Sequence, residues 1–265
     1  FKLLQKGKGK ITTTLEDVQA FLLEHEHPSS VVNASHKNST PLLQGVQEWC
    51  DVEEDDDAEE SSVLSQNKED DYYYQKVIQV LIDAGADVTA TNQGDHSSVD
   101  LLCTAILQRY KQRVKNNSTV LDEDPLVQSW KTAVSQLLKK QQRQQTVEIS
   151  DNQHTIPPPQ TTMAMTTTAA QDAWLEIARR NYLDVAHLWW DDFQISPVGV
   201  VNRQGMTPLQ FAARSGHLEM VVFLLQIATT VGNKNMMLEH QDQRGQTAQQ
   251  AAETNHHEDA VRVLD

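Results

Sequence analysis

The clearest alternation of apolar and polar positions in the chain lies between residues 202 and 225. Leu209, Ala212 and Ala213 recur at three- and four-residue spacing, which predicts one apolar stripe along a short helix. Thr207 offers a hydroxyl to the first free N–H groups of that helix, and Pro208 falls at its first position, where a missing N–H costs nothing. Gly216 predicts the stop, since glycine takes the left-handed conformation of a tight helix-to-helix turn without steric cost. A second helix follows, with Leu218, Val221, Val222 and Leu225 at helical spacing and Leu224 beside them. Two such helices bury too little apolar surface to stand alone. The small Ala212 and Ala213 let a neighbouring pair approach, so the pattern predicts an array in which each helix pair is covered by the next.

Weaker copies occur elsewhere. Asp242 to Ala252, continued by His257, Val261 and Leu264, repeats the pattern forty residues later, with Thr229 to Asn235 expected as a loop insertion. Trp174, Leu175, Ile177 and Ala178, then Asn181, then Leu183, Val185, Ala186, Leu188 and Trp189 predict a further pair, with Asn181 as the turn residue in place of glycine. Upstream, Val80 to Ala90 has the pattern of a helix end and a hairpin around Gly85-Ala86-Asp87, followed by Ser97-Ser98-Val99-Asp100 as a helix start. Leu15 to Leu23 predicts a second helix of a pair, and Thr40-Pro41-Leu42-Leu43 opens the next one. The segment from Thr104 to Gln141 rests on helical periodicity alone.

In spacing and residue type, 202–225 resembles the ankyrin repeat family, and about two thirds of the chain shares the likeness in roughly six units, two of them near the standard match. The resemblance implies an all-α helical solenoid of helix-turn-helix units with hairpin loops, interrupted here by polar insertions. Departures are visible. Gln210 and Gln250 stand where the family motif has histidine, Ala248 where it has proline and Asp95 where a hairpin has glycine. These are expected to weaken individual caps and hairpins while leaving the apolar faces in place.

Charge and composition narrow the partners. A net charge of −15 opposes binding to nucleic acid or an anionic membrane surface. The two cysteines, Cys50 and Cys103, are far too few for a disulfide scaffold and are expected as free thiols. The longest apolar candidate, around Tyr182 to Trp190, is interrupted by Asp184 and His187 and is too short for a membrane span. A cytoplasmic location is expected, with the nucleus as the alternative. Glycosylation-type sequons beginning at Asn33, Asn38, Asn116 and Asn117 are attributed to an Asn/Ser/Thr-rich composition.

The polar insertions suggest an organisation into residues 1–141, divergent repeats, 142–170, a flexible linker, and 171–265, better-matching repeats. Asp51 to Asp71 is acidic and is expected to be a solvated loop, with Val114 to Asp124 a shorter break. Gln141 to Ala170 is rich in Gln and Thr, and Pro157-Pro158-Pro159 predicts an extended stretch within it.

No residue constellation points to catalysis. A Gly-rich phosphate loop, a Gly-x-Ser-x-Gly elbow and Cys-x-x-Cys or His-Glu-x-x-His spacings are all missing from the sequence. His217 and His257 fall at the position after the turn, where the family uses histidine to support the fold, and His25 and His27 follow a helix end; no metal or cofactor is expected. Trp174 and Trp189 are expected in the core, with Trp190 open to either placement. The chain is therefore read as a non-catalytic module that mediates protein–protein interaction, a scaffold or adaptor. The alternative is the regulatory repeat region of a larger enzyme or channel, which the start at Phe1 and the end at Asp265 inside an apparent second helix favour.

The resemblance also implies where partners dock: on hairpin tips and on the exposed face of the first helices. Mapped onto this chain these are Arg203, Gln204, Met206, Arg214 and Ser215, then Gln243, Arg244, Gln246, Thr254 and Asn255, with Arg179 and Arg180 in the preceding unit. The arginines form a basic concentration in an acidic chain and fit an acidic segment of another protein.

Overall fold

The computed structural model of the protein describes residues 14–25, 27–35, 39–50, 60–115, 124–151 and 168–265, with side chains described for all but 60–71, 144–151 and 168. Its described elements are helical; Thr91 and Ser97 form one isolated antiparallel bridge. The chain divides into two compact units, residues 1–153 and 154–265.

The first unit contains α1 (Leu15–Leu23), α2 (Pro28–Val32), α3 (Pro41–Cys50), α4 (Glu60–Asp83), α5 (Ser98–Lys115) and α6 (Pro125–Asp151). Its starts are capped by short polar side chains. Thr14 and Asp17 exchange hydrogen bonds in a reciprocal box at α1, and Ser97 and Asp100 do the same at α5, so Ser97 replaces the expected threonine without loss of the cap. The core centres on Trp49, fully buried, which stacks on Tyr74 at 6.4 Å and meets Trp130 edge-on at 6.4 Å. Asp124, 1% exposed, ties α5 to the start of α6: its Oδ2 lies 2.7 Å from Arg109 Nε and 2.9 Å from Arg113 Nε, while its Oδ1 accepts from the N–H of Leu126. Burial lifts the Cys103 thiol well above its ordinary pKa, and Cys50 and Cys103 are free.

Two insertions differ from expectation. Residues 51–59 lie outside the described set, but 60–71 belong to α4. Tyr74, Val77, Ile78 and Leu81 anchor the downstream half of that helix in the core, and extension into a polar stretch then adds one hydrogen bond per residue fixed. Likewise α6 continues through 142–151 into the segment expected to be a flexible linker; Pro157-Pro158-Pro159 lies outside the described residues.

The second unit comprises α7 (Thr168–Arg180), α8 (Leu183–His187) running into a π-helical turn at Leu188–Asp192, α9 (Pro208–Ser215), α10 (Leu218–Thr230), α11 (Lys234–Glu239), α12 (Ala248–Thr254) and α13 (Glu258–Leu264). These make three helix pairs, α7 with α8, α9 with α10 and α12 with α13, stacked through α7 on α9 and α9 on α12. Trp174 and Trp189 are fully buried and donate their indole N–H groups to the Ile195 and Ala170 carbonyls at 3.0 Å; Trp190 is half-buried. The loop expected at Thr229 to Asn235 is shorter than its sequence suggests. α10 carries on to Thr230, with the Thr229 and Thr230 hydroxyls bonded back to the carbonyls of Leu225 and Gln226, and α11 begins at Lys234.

The turns between paired helices use left-handed residues. Asn181 takes φ 56° and Gly216 φ 71°. Gly216 is constrained twice, since a Cβ there would lie 2.5 Å from Nδ1 of the His257 ring, which covers the turn. Gly216→Ala is therefore expected to cost more than the roughly 1–2 kcal/mol of left-handed strain alone, whereas Gly199→Ala, at φ 84° with nothing within 4 Å, should cost only that strain. Denaturant melts of the two variants check this; equal losses would mean the His257 ring gives way freely.

Candidate functional site

The exposed side chains singled out from the sequence sit on two structures that the second unit repeats: the hairpins before α9 and α12, and the turns after α7, α9 and α12. Each hairpin is built around an Asn or Asp. Asn202 accepts from the N–H groups of Gln204 and Met206 at 2.9 Å, and Asp242 accepts from those of Arg244 and Gln246 at 2.9 Å. In both, the same residue's N–H closes the loop onto the carbonyl four residues on, 3.0 Å in each case. The first unit forms the same loop at Asn92 to His96, where Asp95 takes φ 58° in place of the glycine and still donates its N–H to Asn92. A carboxylate or amide at the loop start, not glycine alone, sets this geometry.

Adjacent hairpins are bonded to one another. The Gln243 N–H donates to the Gln204 carbonyl at 3.0 Å, and the Gln243 carboxamide donates to the Arg203 carbonyl at 2.8 Å. Behind the tips, His240 Nε2 lies 2.7 Å from the Gly205 carbonyl oxygen. Gln210, 1% exposed, is the link between hairpin and helix. Its Oε1 accepts from the Thr207 N–H at 2.8 Å, its own N–H donates to the Thr207 hydroxyl, and its Nε2 donates to the carbonyls of Gln246 at 2.6 Å and His240 at 3.3 Å.

This overturns the expectation that glutamine at this position weakens the cap. Gln210 completes the reciprocal box at α9 and Gln250 completes it at α12, with Ala248 buried at the first helical position. The carboxamide has both a donor and an acceptor, so one side chain serves its own helix and the next hairpin at once.

The turns after the helices are joined by the histidines. His217 Nε2 lies 3.1 Å from the Arg179 carbonyl oxygen and His257 Nε2 lies 3.2 Å from that of Arg214. Matching ends of successive helices therefore meet, and α7, α9 and α12 run parallel. Arg179, Arg180, Arg214 and Ser215, with Thr254 and Asn255, form a row of exposed residues at the helix C-termini. Arg203, Gln204, Gln243 and Arg244 form a second exposed row on the hairpins, with Gln246 half-buried behind it. The eight residues of α9 separate the rows by about 12 Å.

Two expectations change in this geometry. Met206 is 4% exposed and is removed from the candidate surface: with its N–H and carbonyl both spent on Asn202, the chain turns inward there toward Thr207. Arg179 and Arg180 are not free cations, since both pair with Glu176, at i−3 and i−4 on α7. Arg262 pairs with Glu258 and Asp259 in the same way. Arg203, Arg214 and Arg244 are exposed, and among the described residues their guanidinium groups have no acidic partner. Among the described residues no cluster of three or more His, Cys, Asp or Glu side chains is arranged to hold a metal, and no helix is long and apolar enough to cross a membrane.

A family model for ankyrin repeats, three copies, matches residues 166–264, the span of the three helix pairs. No curated protein matches the chain. Among solved structures, the chain is similar to the ankyrin repeat protein EF0377, at 15% identity and a TM-score of 0.45 over 94% of this chain and 90% of that one. It is also similar to a chain of the complex of the predatory endopeptidase Bd0816 from Bdellovibrio bacteriovorus with immunity protein Bd3460, at 13% identity and a TM-score of 0.41 over 94% of this chain and 91% of that one.

The double duty of Gln210 has a measurable signature. Gln210→Ala should cost about 1–3 kcal/mol because the buried Thr207 N–H loses its side-chain acceptor, the His240 carbonyl loses its donor and the Gln246 carbonyl keeps only the Asp242 N–H. Gln250→Ala, an exposed residue whose Nε2 has no partner among the described residues, should cost only the cap contribution of about 1 kcal/mol or less. Chemical denaturation of both variants tests this, and a Gln250 loss as large as that of Gln210 would contradict it.

Proposed function

We propose that residues 166–264, which are ankyrin repeats, serve as a non-catalytic docking module for another protein, with Arg203, Arg214 and Arg244 as the cationic contacts and Gln204, Ser215, Gln243 and Gln246 beside them. Ankyrin repeats are in general protein-interaction modules, and the surface chemistry of this array supports that use. The observation that carries the reading is the division of its arginines. Arg179, Arg180 and Arg262 are each satisfied by a carboxylate one helical turn away, whereas Arg203, Arg214 and Arg244 have none among the described residues of a chain of net charge −15. A guanidinium placed away from its own protein's carboxylates is available to a carboxylate on a partner, through charge-assisted and potentially bidentate hydrogen bonds. Arg179 and Arg180 belong to the same surface as secondary contacts whose charge is offset by Glu176.

The hairpins and turns under these side chains are held by hydrogen bonds within each loop and between neighbouring units, so little ordering of the backbone is required on association. Preorganisation of that kind lowers the entropic cost of binding. A scaffold or adaptor role follows, with a partner that presents acidic side chains.

Replacing Arg203, Arg214 and Arg244 together by Glu should abolish capture of the partner in pull-downs from cell lysate while leaving the melting curve nearly unchanged, because exposed charges contribute little to stability. Deleting residues 51–59, which spares α4, should leave capture intact. Persistence of capture in the triple variant with loss in the deletion would transfer recognition to the acidic segment and overturn the assignment.

A further inference from the structure

The three helix pairs of the second unit share one turn but differ in the side chains that lead into it. Counted back from the left-handed residues Asn181, Gly216 and His256, the fifth, second and first positions are Glu176, Arg179 and Arg180 at α7, Phe211, Arg214 and Ser215 at α9, and Ala251, Thr254 and Asn255 at α12. The alignment is physical as well as sequential, since His217 and His257 reach the carbonyls of Arg179 and Arg214. Residues at this spacing share one helix face. At α7 the face is a completed carboxylate site: Glu176 is held by Arg179 and by Arg180, the latter at 3.4 Å. At α12 the donors are used locally, the Thr254 hydroxyl on the Gln250 carbonyl and the Asn255 carboxamide on that of Ala251, both at 2.7 Å. At α9 the donors are present and the carboxylate is not. Arg214 and Ser215 are exposed, with side chains that have no partner among the described residues, and half-buried Phe211 stands where α7 has Glu176.

We infer that Phe211, Arg214 and Ser215 form a receptor for an acidic side chain of a partner protein that is flanked by apolar residues, with the carboxylate taken by Arg214 and Ser215 and the apolar flank seated on Phe211. The inference rests on the docking reading above and names the chemistry of the partner at Arg214. Glu176 shows that a carboxylate fits donors at these two positions. A glutamate at position 211 would satisfy Arg214 from within its own helix, as Glu176 does for Arg179; a phenyl ring has no acceptor to offer, so the acid comes from another chain. Charge complementarity selects an acidic occupant over a basic or neutral one. An exposed ion pair contributes little by itself. Apolar cover that excludes water strengthens it, and Phe211, next to Arg214 by its three-residue spacing, gives that cover a surface to rest on. A purely acidic segment would leave the ring in water, and a purely apolar one would leave the guanidinium without an acceptor. Only a segment that combines the two uses the whole site.

The test is an NMR titration of the full, nitrogen-15-labelled chain with three peptides of about nine residues in a Gly/Ser background, carrying Leu-Glu-Leu, Ser-Glu-Ser or Leu-Gln-Leu at the centre. The first should bind at least about tenfold more tightly than either of the others, equivalent to about 1.4 kcal/mol, with shifts at residues 211–217. Arg214→Gln should remove its advantage over Leu-Gln-Leu and Phe211→Ala its advantage over Ser-Glu-Ser, whereas Arg203→Gln should leave both. Phe211→Glu, which sets a carboxylate three residues before Arg214 as on α7, should weaken Leu-Glu-Leu to the level of Ser-Glu-Ser or below. Equal binding of Leu-Glu-Leu and Ser-Glu-Ser would reduce the site to a surface charge, and equal binding of Leu-Glu-Leu and Leu-Gln-Leu would reduce it to an apolar patch. Either result overturns the inference, as does an advantage unmoved by Arg214→Gln. If the advantage is missing while the triple Arg→Glu variant still loses its protein partner, the receptor falls and the docking reading stands. If capture also survives the triple variant, both fall.

Discussion

One buried carboxamide joins the cap of a helix to the loop of the next repeat, and the order of the candidate surface depends on it. Gln210 accepts from the Thr207 N–H and donates to the carbonyls of Gln246 and His240, all from a site 1% exposed. Without it the Thr207 N–H loses its side-chain acceptor and the His240 carbonyl its donor among the described residues, while the Gln246 carbonyl keeps only the Asp242 N–H. Hydrophobic stacking of Leu209, Ala212, Ala213, Leu224 and their counterparts provides the bulk of the stability, but stacking is non-directional. The directional register between hairpins comes from Gln210, from the His240 contact to the Gly205 carbonyl, and from Gln243 on the loop in front.

The opposite end of the helices uses a different device for the same purpose. His217 and His257 each reach back to the final turn of the preceding unit's first helix, at the carbonyls of Arg179 and Arg214. Those carbonyls are among the groups a helix cannot satisfy internally. The same turns carry arginine side chains, whose positive charge is favoured at a helix C-terminus. Structural need and candidate function thus meet in single residues: the backbone of Arg214 belongs to the fold, and its guanidinium is left to solvent or a partner.

Much of this was legible in the sequence. Thr207-Pro208, Gly216 and the Leu/Ala spacing name the helix, its stop and its buried face, because each acts through local sterics and hydrogen bonding within one turn. Asn181 in place of glycine was legible for the same reason, since asparagine tolerates the left-handed region. The roles of Gln210 and Gln250 were not. A mismatch to a motif tells which residue is missing and does not tell whether its replacement can make the same bonds. Met206 was misplaced because a tip position by sequence offset can still turn inward when its backbone closes the loop. The pairing of Arg179 and Arg180 with Glu176 was visible in principle from the i−3 and i−4 spacing on α7, a signal that was outweighed by their position at the helix end. The helical extensions at 60–71 and 142–151 escaped a composition-based reading because they are carried by neighbours in the core rather than by their own residues.

Native-state hydrogen exchange tests most directly whether Gln210 holds the hairpin strip in register. The amides of Gly205, Gln243 and Gly245 are each bonded within or between the loops. In Gln210→Ala, protection of these amides should fall by about tenfold or more, in line with about 1–3 kcal/mol for unsatisfied buried groups, while amides in the middle of α10 keep most of theirs. A uniform loss across residues 168–264, or none at the hairpins, would contradict the account.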